Sequence, residues 1–307
     1  MGENYYYYDG LKTLTSNIEG KQIVYGGVLP MAKMVTGDWV RLIVYPLIFD
    51  QEMKSRGGSA TAKYVFLVPD WDSDEIDSLG KNPFYLRPKG RVYKYQLDPE
   101  GCHQNRALHW SSIFEEDVRT ATEGLAQIDM ELISASSLLS ESSFVNILRT
   151  ALTEPEPIIA LSEEIFEEED PPEEQSILAG PVCRECKYSL GEMEYIKDWD
   201  RIQYSCARCG NVQEADISEQ EYWVQSEILE SAALSVIDPT LKIIRDNADN
   251  ANRDSVISRI VNINAVDQKN GLDRIVVPFV DSERGGQSIK ELMEFAREWD
   301  KPHAELA

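Results

Sequence analysis

Long apolar runs are missing from this chain. None of its 307 residues form a stretch near the ~20 apolar residues that a membrane-spanning helix needs. The N-terminus, from Met1 to Asp9, holds four tyrosines and lacks the basic-then-apolar pattern of a secretory signal. A hydrophobic content of 42% is ordinary for a folded protein. We therefore expect a cytoplasmic protein with one large core or two modest ones.

Basic residues are scarce relative to acidic ones. The chain has 30 lysines and arginines against 54 aspartates and glutamates, which gives a net charge of −24. Contacts to nucleic-acid phosphates depend on lysine and arginine, so this balance disfavours non-specific binding to nucleic acid. It leaves a local basic groove open, and solubility alone would explain the acidity.

The sequence also lacks a phosphate-binding glycine loop and any internal repeat. Neither Gly26-Gly27 nor Gly285-Gly286 has the Gly-x-x-x-x-Gly-Lys spacing that lets a backbone loop surround phosphates. Nucleotide binding of the P-loop type is therefore excluded.

Cysteine is uncommon, but four of the five cysteines have metal-ligand spacing. Cys183-x-x-Cys186 precedes Cys206-x-x-Cys209, and a two-residue spacer lets one tight turn present two thiolates to a tetrahedral metal. Gly210 fits the turn after the second pair, and the segment between the pairs favours a short hairpin. The pattern predicts a structural zinc ribbon rather than a redox or catalytic site.

Alternating strand and helix patterns predict a parallel α/β sheet. Gln22–Tyr25 and Lys63–Val68 read as buried strands, joined by a helix from Asp38 to Lys54 that Pro46 should kink. Strand, crossover helix and strand are typical of a Rossmann-like fold. Further helices are predicted at 105–127, 143–152, 158–166 and 218–230, with a closing helix that runs up to Trp299. Further strands are predicted at 129–133 and 274–280.

The predicted organisation has five parts. They are an N-terminal arm (1–20), the first part of the Rossmann-like core (21–162), an acidic linker (163–176), the zinc ribbon (177–216) and the second part of the core (217–307). The linker prediction rests on eight acids among the twelve residues from Glu163 to Glu174, interrupted by Pro171-Pro172. An acidic binding arm is the alternative. The run Tyr5–Tyr8 is interpreted as a packed or mobile arm, with an interface patch as the alternative.

Two further clusters carry candidate chemistry. Asp70 and Asp72 follow the second strand directly, at the sheet edge where open parallel sheets bind ligands, so either could hold an ammonium group. Helix capping explains these aspartates equally well. Cys102 lies near His103 and His109, which would permit a nucleophilic Cys–His pair. We favour a turn leading into a helix, with His103 capping backbone groups.

The order of these parts resembles the catalytic domain of class I aminoacyl-tRNA synthetases, most closely the class I lysyl-tRNA synthetases. The resemblance is carried by Gly27–Trp39, Val68–Asp72, Leu97–Trp110 with Phe114-Glu-Glu, and Ile133–Leu138 with the helices that follow. That family also places a zinc-binding insertion where the cysteines occur. The resemblance implies a Rossmann-like parallel sheet with an inserted zinc ribbon of four cysteine ligands, and a crevice that binds ATP and an amino acid.

Both ATP-phosphate signatures of that family are altered here. Val35-Thr36-Gly37-Asp38 replaces His-x-Gly-His/Asn, so a valine stands where a donor is expected and an aspartate would repel phosphate. The Lys-Met-Ser-Lys-Ser region corresponds to Gly285–Lys290, which has one lysine, and the ribose and adenine segment is replaced by Arg245–Arg253. The chain also ends where the family's anticodon-binding domain would begin. Because losing one charge-stabilising donor costs about 2.7–4 kcal/mol, ordinary adenylation should be crippled.

Two functions follow from these departures. In the first, the chain is a lysyl-tRNA-synthetase-like paralogue acting outside ordinary tRNA charging, with weak or absent tRNA binding and a crevice for an amino acid or a nucleotide such as ATP. If active, it would be an ATP-dependent ligase or adenylating enzyme. The crevice residues implied are Gly27, Lys33, Gly37, Asp70, Asp72, Arg245 and Lys290, and the cations Lys242, Arg253 and Arg284 should converge with them.

The alternative is a catalytically inactive pseudo-synthetase that binds a protein partner. In that case the cations should scatter, and Met31, Met34 or Trp39 should fill the crevice. RNA binding through the ribbon is a third reading, which the net charge weighs against.

Overall fold

The computed structural model describes residues 3–56, 60–79, 82–123, 128–167, 177–263, 272–278 and 288–298. The strands are β1 Asn4–Tyr6, β2 Lys21–Val28, β3 Thr61–Val68, β4 Ile76–Ser78, β5 Leu86–Pro88, β6 Asp129–Ser134, β7 Ala179–Pro181, β8 Gly191–Ile196, β9 Arg201–Cys206, β10 Val212–Asp216, β11 Tyr222–Val224, β12 Leu241–Asp246 and β13 Asp273–Pro278. The helices are α1 Tyr7–Asn17, α2 Thr36–Trp39, α3 Tyr45–Ser55, α4 Arg106–Ala121, α5 Ser142–Thr153, α6 Glu156–Phe166, α7 Ser226–Ile237, α8 Ala248–Ile263 and α9 Ile289–Glu298.

A six-stranded parallel sheet organises the fold. Its strand order is β1-β13-β12-β2-β3-β6, and every neighbouring pair in it is parallel. The chain moves outward from β2 to β3 and β6, and then returns to the other side of β2 with β12. The strand order therefore reverses between β2 and β12, which is where open parallel sheets form their ligand crevice. The predicted Rossmann-like sheet is confirmed.

The central strands are apolar because both faces of the sheet are covered. Tyr25 and Leu67 pack into one buried cluster, together with residues of α5, α6, α7 and α8. Val24 and Phe66 point to the opposite cluster, with residues of α1, α3, α4 and α9. Alternate side chains of a strand face opposite sides of its sheet, so each strand contributes to both clusters.

The helix predicted from Asp38 to Lys54 is present, with a different irregularity. A π-helical turn, Val40–Val44, joins α2 to α3, and Pro46 lies in the first turn of α3. Proline lacks a backbone N–H and clashes with a regular helix before it, and the wider π turn provides the room. The run from Thr36 to Ser55 therefore continues through the proline.

Three other regions differ from expectation or refine it. The helix predicted over 218–230 is wrong at its start: the β-branched and aromatic residues of β11 pair with β7, and α7 begins only at Ser226. The region predicted as an N-terminal arm supplies β1 and α1, with Tyr7 and Leu11 buried. The acidic linker begins within the end of α6, and residues 168–176 lie outside the described residues.

Gly26 in β2 is a glycine that packing requires. A Cβ built there would lie 2.1 Å from Cε1 of Phe66, whose ring is fully buried. We expect Gly26→Ala to lower the free energy of unfolding by about 1–3 kcal/mol, the usual cost of overpacking a core. Urea unfolding checks this result. The same substitution should cost less in a Phe66→Leu background, and an equal cost in both backgrounds would contradict the steric explanation.

No helix within the described ranges combines the length and apolarity needed to cross a bilayer.

Candidate functional site

A crevice lies at the point where the strand order reverses. It has a volume of about 250 Å³ and is lined by the end of β2, the start of the helical run at Asp38 and Arg41, the first turns of α7, the end of β12 and α8. Its position follows from the topology, because the carboxyl ends of β2 and β12 diverge there. The crevice is therefore the principal candidate ligand site.

The crevice carries balanced charge. Its lining includes four acidic and four basic side chains: Asp38, Glu227, Glu230, Asp254, Arg41, Lys242, Arg245 and Arg253. Three of the predicted cations do converge here, but each is paired with a carboxylate. Arg245 pairs with Asp38, Lys242 with Glu230 and Asp254, and Arg253 with Glu227. The arrangement is thus internally neutralised, unlike a cationic phosphate site.

Lys242 belongs to a buried ionic network under the crevice. Its Nζ lies 2.7 Å from Asp254 Oδ1 and 2.9 Å from Glu230 Oε1, and Arg274 donates to Asp254 from the far side. Burial favours the neutral amine, but the two carboxylates outweigh it and raise the pKa of Lys242 above its ordinary value. Lys242 therefore stays charged and is held as a structural cation, not as a free nucleophile.

Gly27 positions Arg41 at the end of β2. Arg41 donates from Nη2 to the carbonyl of Val28 at 2.9 Å and from Nη1 to that of Gly26 at 3.3 Å. Gly27 has a φ of +106°, and a Cβ there would lie 1.9 Å from Arg41 Nη1. Burial lowers the pKa of Arg41, and the nearby Arg245 adds to this shift. The structure places Gly27 as the residue that makes room for this guanidinium.

The two predicted aspartates after β3 have different environments. Asp70 accepts hydrogen bonds from the Ser136 backbone N–H at 2.9 Å and from its hydroxyl, so it caps the turn that follows β6. Asp72 lies beside α7, where Ser226 donates to it and Glu227 is close enough to repel it. Burial raises the pKa of Asp72 to about 7, and Glu227 and Asp74 add to the shift. Among the described residues, no ion pair involves Asp72.

Arg245 is the predicted ligand-binding residue that lines the crevice, whereas Gly27, Asp70 and Asp72 do not line it. The other three lie elsewhere. Lys33 is exposed and lines a second cavity of about 480 Å³, together with Met34, Trp39 and Trp110. Gly37 is buried within α2, and Lys290 is exposed at the start of α9. Met31 is buried in the core. None of the three side chains proposed to fill the crevice lines it. Arg284 lies outside the described residues.

The four cysteines come together as predicted. Their ligand atoms lie within 4.8 Å of one another, with Sγ–Sγ distances of 3.6 Å for Cys183–Cys209 and 3.5 Å for Cys186–Cys206. A tetrahedral zinc with Zn–S bonds near 2.3 Å needs sulfurs about 3.8 Å apart, so the donor set fits the ion. Gly210 has the left-handed φ of +74° that its turn requires.

The ribbon is a three-stranded antiparallel sheet of order β10-β9-β8. The chain enters and leaves it through the β7–β11 pair, and Ile202, Tyr204 and Cys206 of β9 pack into the same buried cluster as α5 and α7. The ribbon is therefore joined to the core by packing as well as by two chain connections.

A second group of metal-ligating side chains precedes α4. Asp98, Cys102, His103 and His109 place one ligand atom each within 4.8 Å of one another. The Cys102 sulfur lies 3.0 Å from His103 Nδ1 and 3.2 Å from His109 Nδ1, and Asp98 Oδ1 lies 3.0 Å from the latter. Mixed thiolate, imidazole and carboxylate ligands are typical of zinc. The sequence prediction, a turn with capping by His103, missed Asp98 and the shared geometry.

The family described as tRNA synthetases class I (K) has a model that matches residues 50–225. That range contains both groups of metal-ligating side chains and begins after Val35–Asp38. Lysine–tRNA ligase from Thermococcus kodakarensis is 27% identical over 206 residues, covering 64% of this chain. The chain spans 36% of that protein's length. Arginyl-tRNA synthetase from Plasmodium falciparum is structurally similar with a TM-score of 0.32 and 14% identity, over 89% of this chain and 45% of that one.

Proposed function

Because the chain belongs to the class I (K) tRNA synthetase family, we propose that its crevice binds an amino-acid or nucleotide ligand in a role outside ordinary tRNA charging. One observation carries the proposal: a cavity of about 250 Å³ lies open at the switch point of the sheet, lined by ionic groups. The relative named as a lysine–tRNA ligase makes lysine the first amino acid to test.

Asp72 and Glu227 supply the groups that an amino acid needs at its ammonium end. Glu227 lines the crevice and is buried, and burial raises its pKa, with Arg253 at 3.5 Å only partly offsetting the effect. Asp72 adjoins Glu227 and has no cation of its own among the described residues. An ammonium group placed between them would relieve their repulsion and replace lost hydration. Two carboxylates without enough positive charge therefore favour a cationic ligand.

Lysine binding should depend on pH through Asp72. Its pKa of about 7 means that the carboxylate ionises as pH rises from 5.5 to 7.5, while the ε-amine of lysine stays charged. We expect lysine affinity, measured by calorimetry, to increase over this range by about tenfold, or about 1.4 kcal/mol. Asp74, Glu227 and Tyr93 are the ionisable groups facing Asp72, and the pKa values of Glu227 and Tyr93 are also raised by burial.

Asp72→Asn should weaken lysine binding and remove most of this pH dependence. Asp77→Asn is the matched control, because Asp77 is half exposed in β4 and pairs with Lys89. Absence of heat with millimolar lysine and with millimolar ATP, separately and together, would refute a ligand-binding crevice.

We also propose that the four cysteines hold a structural zinc ion and that Asp98, Cys102, His103 and His109 hold a second metal ion. In the ribbon, each cysteine pair would hold the ion from its own turn, and the bound zinc would link the two turns. Both groups lie away from the crevice lining, which makes the metals architectural in this proposal.

The alternative is an inactive pseudo-synthetase that serves as a regulatory or protein-binding module in the cytoplasm. The supporting observation is that the crevice cations are already paired with carboxylates of this chain. Affinity purification from the native cell should then return a partner in stoichiometric amount. Recovery of the bare protein, together with lysine binding, would favour the first proposal.

A further inference from the structure

The helical run that follows β2 places a carboxylate, that of Asp38, beside one guanidinium group and near a second. Asp38 accepts a hydrogen bond at Oδ1 from Nη2 of Arg245, and at Oδ2 from the backbone N–H of Val35 at 3.1 Å. Both Asp38 and Arg245 line the crevice, together with Arg41. The side chain of Asp38 is only 12% exposed, so its position is fixed by these contacts and by packing.

Each of the two guanidinium groups keeps a hydrogen-bond donor without an acceptor, even with Asp38 present. Nε of Arg41 and Nε of Arg245 are both buried and find no acceptor among the described residues. Arg245 is close enough to Arg41 to disfavour its charge, and Asp38 is the first of the groups that oppose this effect. Two adjacent cations with spare donors form the kind of site that binds a phosphate or another oxyanion side-on.

We propose that Asp38 is a specificity-determining residue whose carboxylate occupies an oxyanion site formed by Arg41 and Arg245, and so sets the crevice against phosphate-bearing ligands. The inference rests on the proposed function, and it selects the amino acid over the nucleotide as the ligand. A phosphate entering this position must displace a carboxylate held by two hydrogen bonds and overcome its repulsion. An amino acid can place its ammonium group near Asp72, which has no ion-pair partner among the described residues, and near Glu227, whose contact with Arg253 is 3.5 Å long.

The position of Asp38 explains why the same fold can keep a crevice and lose phosphate affinity. Its contact with the backbone N–H of Val35 fixes the carboxylate at the start of α2. The partner, Arg245, comes from the end of β12, across the crevice. Asp38 therefore joins the two walls of the crevice at the point where an external oxyanion would have joined them.

Pyrophosphate binding to the full chain tests the proposal. The wild-type protein should give no heat with millimolar pyrophosphate on calorimetry, whereas Asp38→Asn should bind it at least about tenfold more tightly, or by about 1.4 kcal/mol. Adding Arg245→Gln to Asp38→Asn should abolish the gain. Asp9→Asn is the matched control, since it makes the same change in net charge at a residue whose side chain is 86% exposed and pairs with Lys12.

Several results would overturn the proposal. They are equal pyrophosphate affinity in wild type and Asp38→Asn, a gain that survives Arg245→Gln, or a gain of the same size in Asp9→Asn. Asp38→Ser keeps an oxygen near the Val35 N–H and serves as the second variant if the asparagine lowers the melting temperature. Absence of binding by both folded variants also refutes the anion site. Absence of heat when wild type is titrated with lysine and with ATP would refute the proposed function alone, because the pyrophosphate measurement uses neither ligand.

Discussion

Cys206→Ser should remove one metal ion per chain and cause a large loss of stability. Cys206 is buried, and its sulfur lies 3.5 Å from that of Cys186 across the cluster. Serine is a poor ligand for a thiolate-preferring metal, so the substitution breaks the tetrahedral set. Structural zinc sites supply about 10–16 kcal/mol of apparent binding free energy in isolated peptides, and that energy is coupled to folding.

The loss should reach the core because β9 contributes to it. Ile202 and Tyr204 of this strand share a buried cluster with Phe144 of α5 and Ile228 of α7. Releasing the ribbon would expose that part of the cluster, and each large apolar side chain contributes about 1.5–3 kcal/mol on burial. We therefore expect the melting temperature to fall by about 10 °C or more, since 1 kcal/mol corresponds to roughly 2–4 °C in a domain of 150–250 residues.

The second cluster provides the cross-control. Elemental analysis should give two metal ions per chain in wild type and one in Cys206→Ser. Cys102→Ser should also leave one ion, with a smaller loss of stability, because Cys102 is exposed and its cluster lies in the turn before α4. A wild-type chain that melts cooperatively without metal, at an unchanged temperature, would contradict the structural role of the ribbon metal.

The two clusters also show which sites the sequence could reveal. The ribbon was predictable because its ligands form two local pairs, and each pair needs only one tight turn. In the second cluster, the spacing Asp98-x-x-x-Cys102-His103 followed by His109 was visible, but the folded turn decides whether the four atoms converge. Here the N–H groups of Glu100 and His103 donate to Asp98 and bend the chain around its carboxylate.

The crevice shows where prediction from the sequence stops. Alternating strands and helices were enough to predict a parallel sheet, and the family resemblance implied that Arg245 belongs to its crevice and left open whether Lys242 converges there. The pairing of Asp38 with Arg245 joins residues 207 positions apart, so it depends on how α2 and β12 meet. Lys242 was expected, under the ligand-binding reading, among the cations that converge on the crevice, and β12 carries it into a buried site between α7 and α8 where two carboxylates pair with it. The residue type determines the charge of each group, whereas the packing of the elements determines which groups form ion pairs with one another.

Asp254→Asn should be the most destabilising change near the crevice that leaves the metals in place. Asp254 is buried on α8, accepts from Arg274 and lies 2.7 Å from Lys242 Nζ. The neutral amide would leave a buried lysine and a half-buried arginine, and Glu230 is the one other carboxylate among the described residues that pairs with Lys242. Breaking a buried ionic network by removing one partner costs about 3–5 kcal/mol, because the remaining charges have already lost their hydration. Urea unfolding at pH 7 measures this loss.

The pH dependence of this network has a definite sign. Burial acts to raise the pKa of Asp254, but Lys242 and Arg274 outweigh it and hold the pKa below its ordinary 3.8. A carboxyl group with a depressed pKa stabilises the fold above the unfolded-state value, and this contribution is lost as pH falls toward the folded-state value. The difference in unfolding free energy between wild type and Asp254→Asn should therefore be constant from pH 5 to 7 and shrink below about pH 4.

Asp249→Asn separates the buried network from a general effect of charge on α8. Asp249 lies on the same helix but is exposed in its first turn, so its loss should cost no more than the roughly 0.3–1 kcal/mol typical of an exposed acid at a helix N-terminus. If Asp254→Asn and Asp249→Asn lowered the free energy of unfolding equally, the prediction would be wrong, because the loss of Asp254 would then cost no more than the loss of an exposed acid. Lys242→Met in the Asp254→Asn background should recover part of the loss, because it removes one stranded cation and fills its space with an apolar side chain.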